Sequence, residues 1–417
     1  MKFEFGDRVE IHLMREIYEG IILESSESGI FLLKLDSGYN IGFNKKDVVE
    51  IKVLKKFKEQ SDDFKIKSKN GLPNIAMIIT GGTIAARLNP KKGGVDWLDT
   101  PESLFKFYPN VFDKVNIAKV EVPFMKASED MDFKDWKVIA KVVEKLLNNS
   151  EIKGVIITHG TDFLHYTAEA LSFFLKDLNK PVVLTYSQRS IDRASSDANL
   201  NLQCSAMVSI SDIAEVMLVG HGSENDDFCY AMPGTKVRKL HTSRRDAFRV
   251  VNAKPFAKID SDKIVKMSDY NIRKQGKIKL DLKFEEKVAL VKFYPGQDPD
   301  ILDFYFDKGY KGIVLEVGGL GHVSTKRSRK SWIKKLKEVQ KKGLVICATA
   351  QTINGRLNPL VYSNGREILE TGVIYLEDML SETAFVKLGW VLGHKDWDVK
   401  EKMLENISGE LNKRLFE

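Results

Sequence analysis

The sequence predicts an α/β protein. A core of two domains, with a larger and a smaller mainly parallel sheet, follows a small N-terminal β-barrel. Three observations carry this. From Asn74 onward, apolar runs of strand length alternate with amphipathic stretches of helix length, the pattern of strands buried beneath crossover helices. A charged, weakly patterned stretch over 264–286 interrupts the alternation, which resumes with VALVKFY and so implies a second, smaller α/β unit. Ahead of both, residues 1–58 read as short strands of period two.

In that first segment Val9, Ile11 and Leu13 alternate with Arg8, Glu10 and His12, as in a half-buried strand. IYEGIILESS and GIFLLKLD follow, separated by Ser-Glu-Ser-Gly and closed by Asp36-Ser37-Gly38, both turn signals. A compact antiparallel barrel of the SH3 or Sm kind is expected over 1–58. Residues 59–73, polar, dotted with lysine and ending in Gly71-Leu72-Pro73, read as a linker. The larger domain is expected over 74–270, a second linker over 271–286 and the smaller domain over 287–417.

Within the larger domain NIAMII, GVIIT and PVVLTYS read as buried strands. DFKDWKVIAKVVEKLL places Trp136, Ile139, Ala140, Val143 and Leu147 on one helical face, with Asp132 as cap. DFLHYTAEALSFFLKDL reads as a helix stopped by Asn179-Lys180-Pro181. In the smaller domain VALVKFY, GIVLEVGG and GLVICATA read as strands, with a helix near Ile301 and a basic helix over 328–342.

Composition sets limits. The chain has 417 residues, 43% hydrophobic and 29% charged, which argues against a mostly disordered chain. Its net charge of +7 permits a nucleic-acid partner without arguing for one. No apolar run approaches the ~20 residues that span a bilayer. MKFEFGDRVEIHL lacks the features of a secretory signal. Three cysteines, Cys204, Cys229 and Cys347, do not make a disulfide framework, so a reduced, cytoplasmic setting is expected. The seven histidines lack zinc-like spacing; no metal site and no cofactor is expected in this chain.

Two motifs carry chemistry. Thr80-Gly81-Gly82-Thr83-Ile84-Ala85 directly follows NIAMII, and Thr158-His159-Gly160-Thr161-Asp162 completes GVIIT. Ligands of open parallel sheets bind beyond the carboxyl ends of strands. Taken singly, the first motif is a turn that ends a strand. It lacks GxGxxG and the lysine of a phosphate loop. Taken singly, Asp162 is a helix N-cap and His159 holds its turn. Together they bring a threonine hydroxyl after glycine to each of two strand tips. Amide hydrolysis needs a nucleophile, a route for its proton and donors for an oxyanion, and a lysine paired with a carboxylate supplies a proton relay.

ITGGTIA and THGTD resemble the two signatures of bacterial-type L-asparaginases in order, spacing and strand-tip context, over roughly residues 74–395. The resemblance implies an asparaginase-like two-domain core. It implies that Thr83 is the nucleophile, that Thr161, Asp162 and Lys239 form the relay, and that Ser128 and Glu129, in Ser-Glu-Asp-Met, hold the donor's α-carboxylate and amino group. GYKGIVLEVGGLGH resembles the strand and glycine loop of the family's C-terminal domain. Three departures stand out. Phe163 replaces the usual threonine after the aspartate, the loop RLNPKKGGVDWLDT has Pro90 and no tyrosine, and Tyr186 stands where glycine is common.

Plain asparaginases lack the N-terminal barrel. The barrel, KVRKLHTSRRDAF, QRSIDRASSDANLNL, and GGLGHVS followed by QTINGRLN resemble one branch, the GatD subunits of the archaeal glutamyl-tRNA(Gln) amidotransferases. That resemblance implies hydrolysis of asparagine or glutamine to supply ammonia. A GatE-like partner, carrying the ATP and Mg, would use it to convert Glu-tRNA(Gln) to Gln-tRNA(Gln). It implies a homodimer within a heterotetramer and no membrane. A stand-alone cytosolic L-asparaginase and a non-catalytic tRNA-binding scaffold are the competing readings. The run Lys326, Arg327, Arg329, Lys330, Lys334, Lys335, Lys337, Lys341 and Lys342 reads as a solvated helix face, or as a surface for tRNA or an acidic partner. His221 reads as a loop residue, and Cys347 and Trp136 as core.

Overall fold

A computed structural model describes residues 3–25, 27–36, 40–56, 71–88, 95–97, 112–191, 193, 195–260 and 262–414. Most of the expected first linker, and most of the loop RLNPKKGGVDWLDT with Pro90, lie outside these residues.

The N-terminal unit is a five-stranded antiparallel sheet: β1 (Arg8–His12), β2 (Ile17–Leu23), β3 (Ile30–Lys34), β4 (Asn40–Asn44) and β5 (Glu50–Lys55), in the order β4-β3-β2-β1-β5. Strand β1 pairs with both β2 and β5. Its alternation buries Val9 and Ile11 against Ile22, Leu33, Phe43, Val48 and Ile51, while Arg8 on the other face pairs with Glu19 at 2.7 Å and Asp36 at 2.6 Å.

The large sheet begins with β6 (Asn74–Ile79). A short hairpin, β7 (Ala86–Leu88) and β8 (Val95–Trp97), stands apart, and β9 (Asn116–Glu121) returns beside β6. Helix α1 (Phe133–Leu147) follows, then β10 (Ile152–Thr158) and α2 (Leu164–Phe174). Asp132 caps α1, accepting from the N–H groups of Lys134 and Asp135, and the predicted face of α1 is buried. The chain continues through β11 (Leu175–Lys176), β12 (Val182–Thr185), α3 (Ala198–Ser209), β13 (Val216–His221), β14 (Cys229–Pro233), β15 (Val237–Lys239), β16 (Phe248–Val250), β17 (Ala257–Ile259) and β18 (Ile264–Lys266). The strand order is β18-β17-β14-β13-β12-β10-β6-β9. From β9 to β13 neighbours are parallel; from β13 to β18 they are antiparallel. The sequence shows only the parallel part, because β17 and β18 have three residues each, too few for a periodic signal.

The smaller domain follows β19 (Lys279–Leu280). It is a four-stranded parallel sheet of β20 (Val288–Lys292), β21 (Gly312–Val317), β22 (Val345–Ala350) and β23 (Ile374–Tyr375). Its helices are α4 (Ile301–Asp307), α5 (Ile333–Lys341), α6 (Ser363–Leu369), α7 (Ser381–Leu392) and α8 (Val399–Leu404). Helix α7 packs onto α2, with Phe173 stacked on Trp390 at 5.5 Å. One apolar cluster therefore runs through both domains, from Trp136 and Phe174 to Val314, Cys347 and Leu388.

Three expectations are corrected. Helix α2 stops at Phe174, ahead of Asn179-Lys180-Pro181, because Leu175 turns extended to pair with Leu280, and Asp177 then adopts φ 56°. The basic helix begins at Ile333, not Ser328. Trp332 instead sits wholly buried ahead of it, with its indole N–H donating to Gln297 O at 3.3 Å. His221 is no loop residue: it ends β13, fully buried, with ring nitrogens on Asn201 Oδ1 at 2.6 Å and Asp226 Oδ1 at 2.9 Å.

Candidate active site

Strands β6 and β10 lie side by side and end level, since both the N–H and the hydroxyl of Thr80 donate to Thr158 O, at 3.2 and 2.8 Å. Beyond these tips two glycine turns meet. Gly82 has φ 84°, a left-handed conformation that favours glycine. A Cβ built on it would fall inside the backbone of His159 and Gly160. Only glycine permits this approach, and the next residue on each side is a threonine: Thr83, opening a 3-10 turn (Thr83–Ala85), and Thr161.

A third segment joins them. Lys126 N donates to Thr80 O at 2.9 Å. The 3-10 turn Ser128–Asp130 then seats Ser128 against Gly160, where an added Cβ would lie 3.1 Å from Ser128 N. Ser128 Oγ accepts from Phe163 N–H at 3.2 Å and donates to Glu129 Oε2 at 3.3 Å. The Lys126 ammonium, paired with Asp135 at 2.8 Å, ties this turn to the start of α1. Beside Ser128 and Glu129 opens a cavity of about 350 Å³, walled by Phe133, Trp136, Phe163, Tyr166, Phe284 and Phe385.

The fourth contributor is β15. Its last residue, Lys239, reaches from a largely buried position to Thr161 Oγ1 at 2.8 Å and Asp162 Oδ1 at 2.6 Å. Thr161 Oγ1 also donates to Asp162 Oδ1 at 3.3 Å. Hydrogen bonding from Lys239, and its charge, hold the Asp162 carboxyl below the usual carboxylate range. Asp162 is therefore not the N-cap of α2; that position is Phe163, with no side-chain cap. Replacing Lys239 by methionine is expected to raise the Asp162 carboxyl toward its ordinary pKa, read by carbon NMR of a labelled aspartate.

His159 is structural. Wholly buried, it donates from Nδ1 to Gly160 O at 2.8 Å and takes the Thr167 hydroxyl on Nε2 at 2.9 Å. Burial pushes its pKa down to about 4, and that of His165 to about 3. An unfolded chain protonates such groups near pH ~6.5, so from about 6.5 down to about 4 for His159 and about 3 for His165 the unfolded state binds more protons than the folded one. Stability from these two groups is thus full above about pH 6.5 and is lost as pH falls through that window. Urea titrations are expected to show a lower unfolding free energy at about pH 5 than at about pH 7, with a smaller difference in His165→Gln.

The six residues singled out in the sequence thus lie on segments that converge: Thr83, Ser128 and Glu129 in 3-10 turns, Thr161 and Asp162 ahead of α2, and Lys239 at the end of β15. Of the departures, Phe163 forms part of the cavity wall, tilted against Tyr166 at 5.8 Å. Tyr186 is buried, its hydroxyl on Arg245 O at 2.8 Å and its ring against Gly220, where a Cβ would clash. The sequence missed residues behind the site, Lys126, Asp135 and Glu382, and the part played by Arg238, which lies in the run KVRKLHTSRRDAF without being singled out there. In the basic run, Lys326 pairs with Glu367, Lys330 with Asp298, Lys334 with Glu338, and Lys335 with Asp300 and Asp303, as on a solvated face. The three cysteines are free and buried. Among the described residues no helix is long and apolar enough to cross a membrane.

A model of the N-terminal asparaginase domain matches residues 74–271, and one of the glutaminase/asparaginase C-terminal domain matches 287–403. The thermostable L-asparaginase from Thermococcus kodakarensis superposes with a TM-score of 0.72 at 26% identity, over 82% of this chain and 100% of that one. The core is that of an asparaginase-type amidohydrolase. A third model, the GatD N-terminal domain, matches residues 3–54. The GatD subunit of the glutamyl-tRNA(Gln) amidotransferase of Pyrococcus furiosus is 47% identical, over 99% of this chain and 93% of its own. That of Methanosarcina barkeri is 42% identical over the whole of both chains. The chain belongs to the GatD family of glutamyl-tRNA(Gln) amidotransferase subunits.

Proposed function

We propose that this chain releases ammonia from the side-chain amide of asparagine or glutamine through Thr83, and passes it to a GatE-like partner that forms Gln-tRNA(Gln). The observation that carries the reading is the close approach of Gly82 to Gly160, which brings together the turns that bear Thr83 and Thr161, with Lys239 bonded to both Thr161 and Asp162. Ser128 and Glu129 hold the α-carboxylate and amino group of the donor, which sets its amide over the two threonines. Thr83 Oγ attacks the amide carbon. Its proton travels through Thr161, Lys239 and Asp162 to the departing nitrogen, which leaves as ammonia. Water, giving its proton to the same relay, cleaves the acyl-threonine and frees aspartate or glutamate.

ATP and Mg serve the partner's activation of the glutamyl group in this reading, and the N-terminal sheet, matched by the GatD-specific model, favours a complex over a stand-alone asparaginase. Ammonia release is to be measured from each amide, with and without a GatE-like partner and Glu-tRNA(Gln). Release stimulated by tRNA and partner is the expected result. High, tRNA-indifferent asparaginase activity would refute the assembly role.

A further inference from the structure

Strand β15 is three residues long and, among the described residues, pairs with β16 alone, in a two-stranded ribbon. Such ribbons are marginal by themselves, yet this one must deliver Lys239 to within hydrogen-bond distance of Thr161 and Asp162. The smaller domain supplies what the ribbon lacks. Thr235 O accepts from the Thr383 hydroxyl at 2.9 Å, and the Thr235 hydroxyl donates to Ser408 O at 2.9 Å. Lys236 pairs with Asp378 at 2.9 Å, both side chains buried. Arg238 Nη2 reaches Glu382 Oε1 at 2.8 Å. Thr383 Oγ1 also lies 3.0 Å from Glu169 Oε1 on α2, the helix behind Thr161 and Asp162. The first turn of α7 therefore grips both halves of the relay.

We propose that Glu382 is a positioning residue for Lys239, so that the smaller domain sets the geometry of the proton relay. The inference rests on the amidase reading above. Successive strand residues project to opposite faces. Holding Arg238 on one face fixes where Lys239 leaves on the other. Among the described residues Glu382 pairs with Arg238 and makes no hydrogen bond or ion pair with the six site residues, so it acts through the strand. Its second oxygen has no hydrogen-bond partner among the described residues, which leaves Arg238 as its ion-pair partner there.

The test is a cycle on the full chain with any partner present. A displacement of order 1 Å costs up to about 100-fold in rate. Glu382→Gln is expected to lower kcat for amide hydrolysis about 10- to 100-fold, to leave KM within about twofold, and to cause no further loss in a Lys239→Ala background. Arg238→Met breaks the same pair from its more exposed side and should repeat the pattern. An unchanged kcat, or an equal loss with and without Lys239, overturns the inference. Failure of the amidase reading shows separately, as a wild type with no ammonia release or one matched by Thr83→Ala.

Discussion

Thr83→Ala is expected to abolish ammonia release, with kcat lowered by about 10⁴-fold or more. The donor's KM should change little. Thr83 alone follows the Gly81-Gly82 turn, and Gly82 fits against Gly160 without a Cβ. The replacement removes one hydroxyl and leaves the Ser128–Glu129 turn, the Lys239–Thr161 bond and the Lys239–Asp162 bond intact. Binding should survive while the bond-forming atom is lost, as with the nucleophile of any interdependent catalytic unit. Thr83→Ser, which keeps the hydroxyl, should retain a measurable rate. Steady-state ammonia assays on the three proteins decide this, and full activity in Thr83→Ala would remove the nucleophile assignment.

The largest loss of stability is expected from Glu410→Ala. Lys387, in the middle of α7, and Glu410 are both wholly buried and lie 2.6 Å apart. The ammonium also donates to Met403 O at 3.1 Å and Glu405 O at 2.5 Å. Glu410 accepts from the N–H groups of Ile407 and Ser408. The pair thus staples the chain after α8 onto α7, and Ser408 in turn meets Thr235 in the segment leading to Lys239. Removing one member leaves a buried charge without its counterion, at a cost of about 3–5 kcal/mol. Removing both, as in Lys387→Met with Glu410→Leu, should cost less, because no uncompensated charge remains. Urea titrations of the full chain measure both. A double variant weaker than Glu410→Ala would contradict this account of the pair.

How much of this is legible in the sequence follows from range. NIAMII, GVIIT and PVVLTYS announce their strands because parallel strands under helices are apolar throughout. The cap at Asp132 and the buried face of α1 are likewise local, and the structure has both. The six site residues are found because their motifs resemble a known family; the approach of the turns that bear Thr83 and Thr161 is explained by Gly82 and Gly160, whose missing side chains permit it. The end of α2 is misplaced in the sequence because Leu175 is claimed by Leu280, a partner about a hundred residues away. His221 is misplaced because its partners, Asn201 on α3 and Asp226, leave no local trace. The pairing of Arg238 with Glu382 is invisible for the same reason, since an ion pair between domains leaves no periodic signal in either segment.

The account turns on which hydroxyl takes the acyl group. Rapid acid quench of the enzyme with asparagine, followed by peptide mass spectrometry, measures this directly. An adduct with the mass of the donor less ammonia on the peptide that contains Thr83, absent in Thr83→Ala, is the predicted result. The same adduct on Thr161, or turnover that persists in Thr83→Ala without any adduct on that peptide, would contradict it.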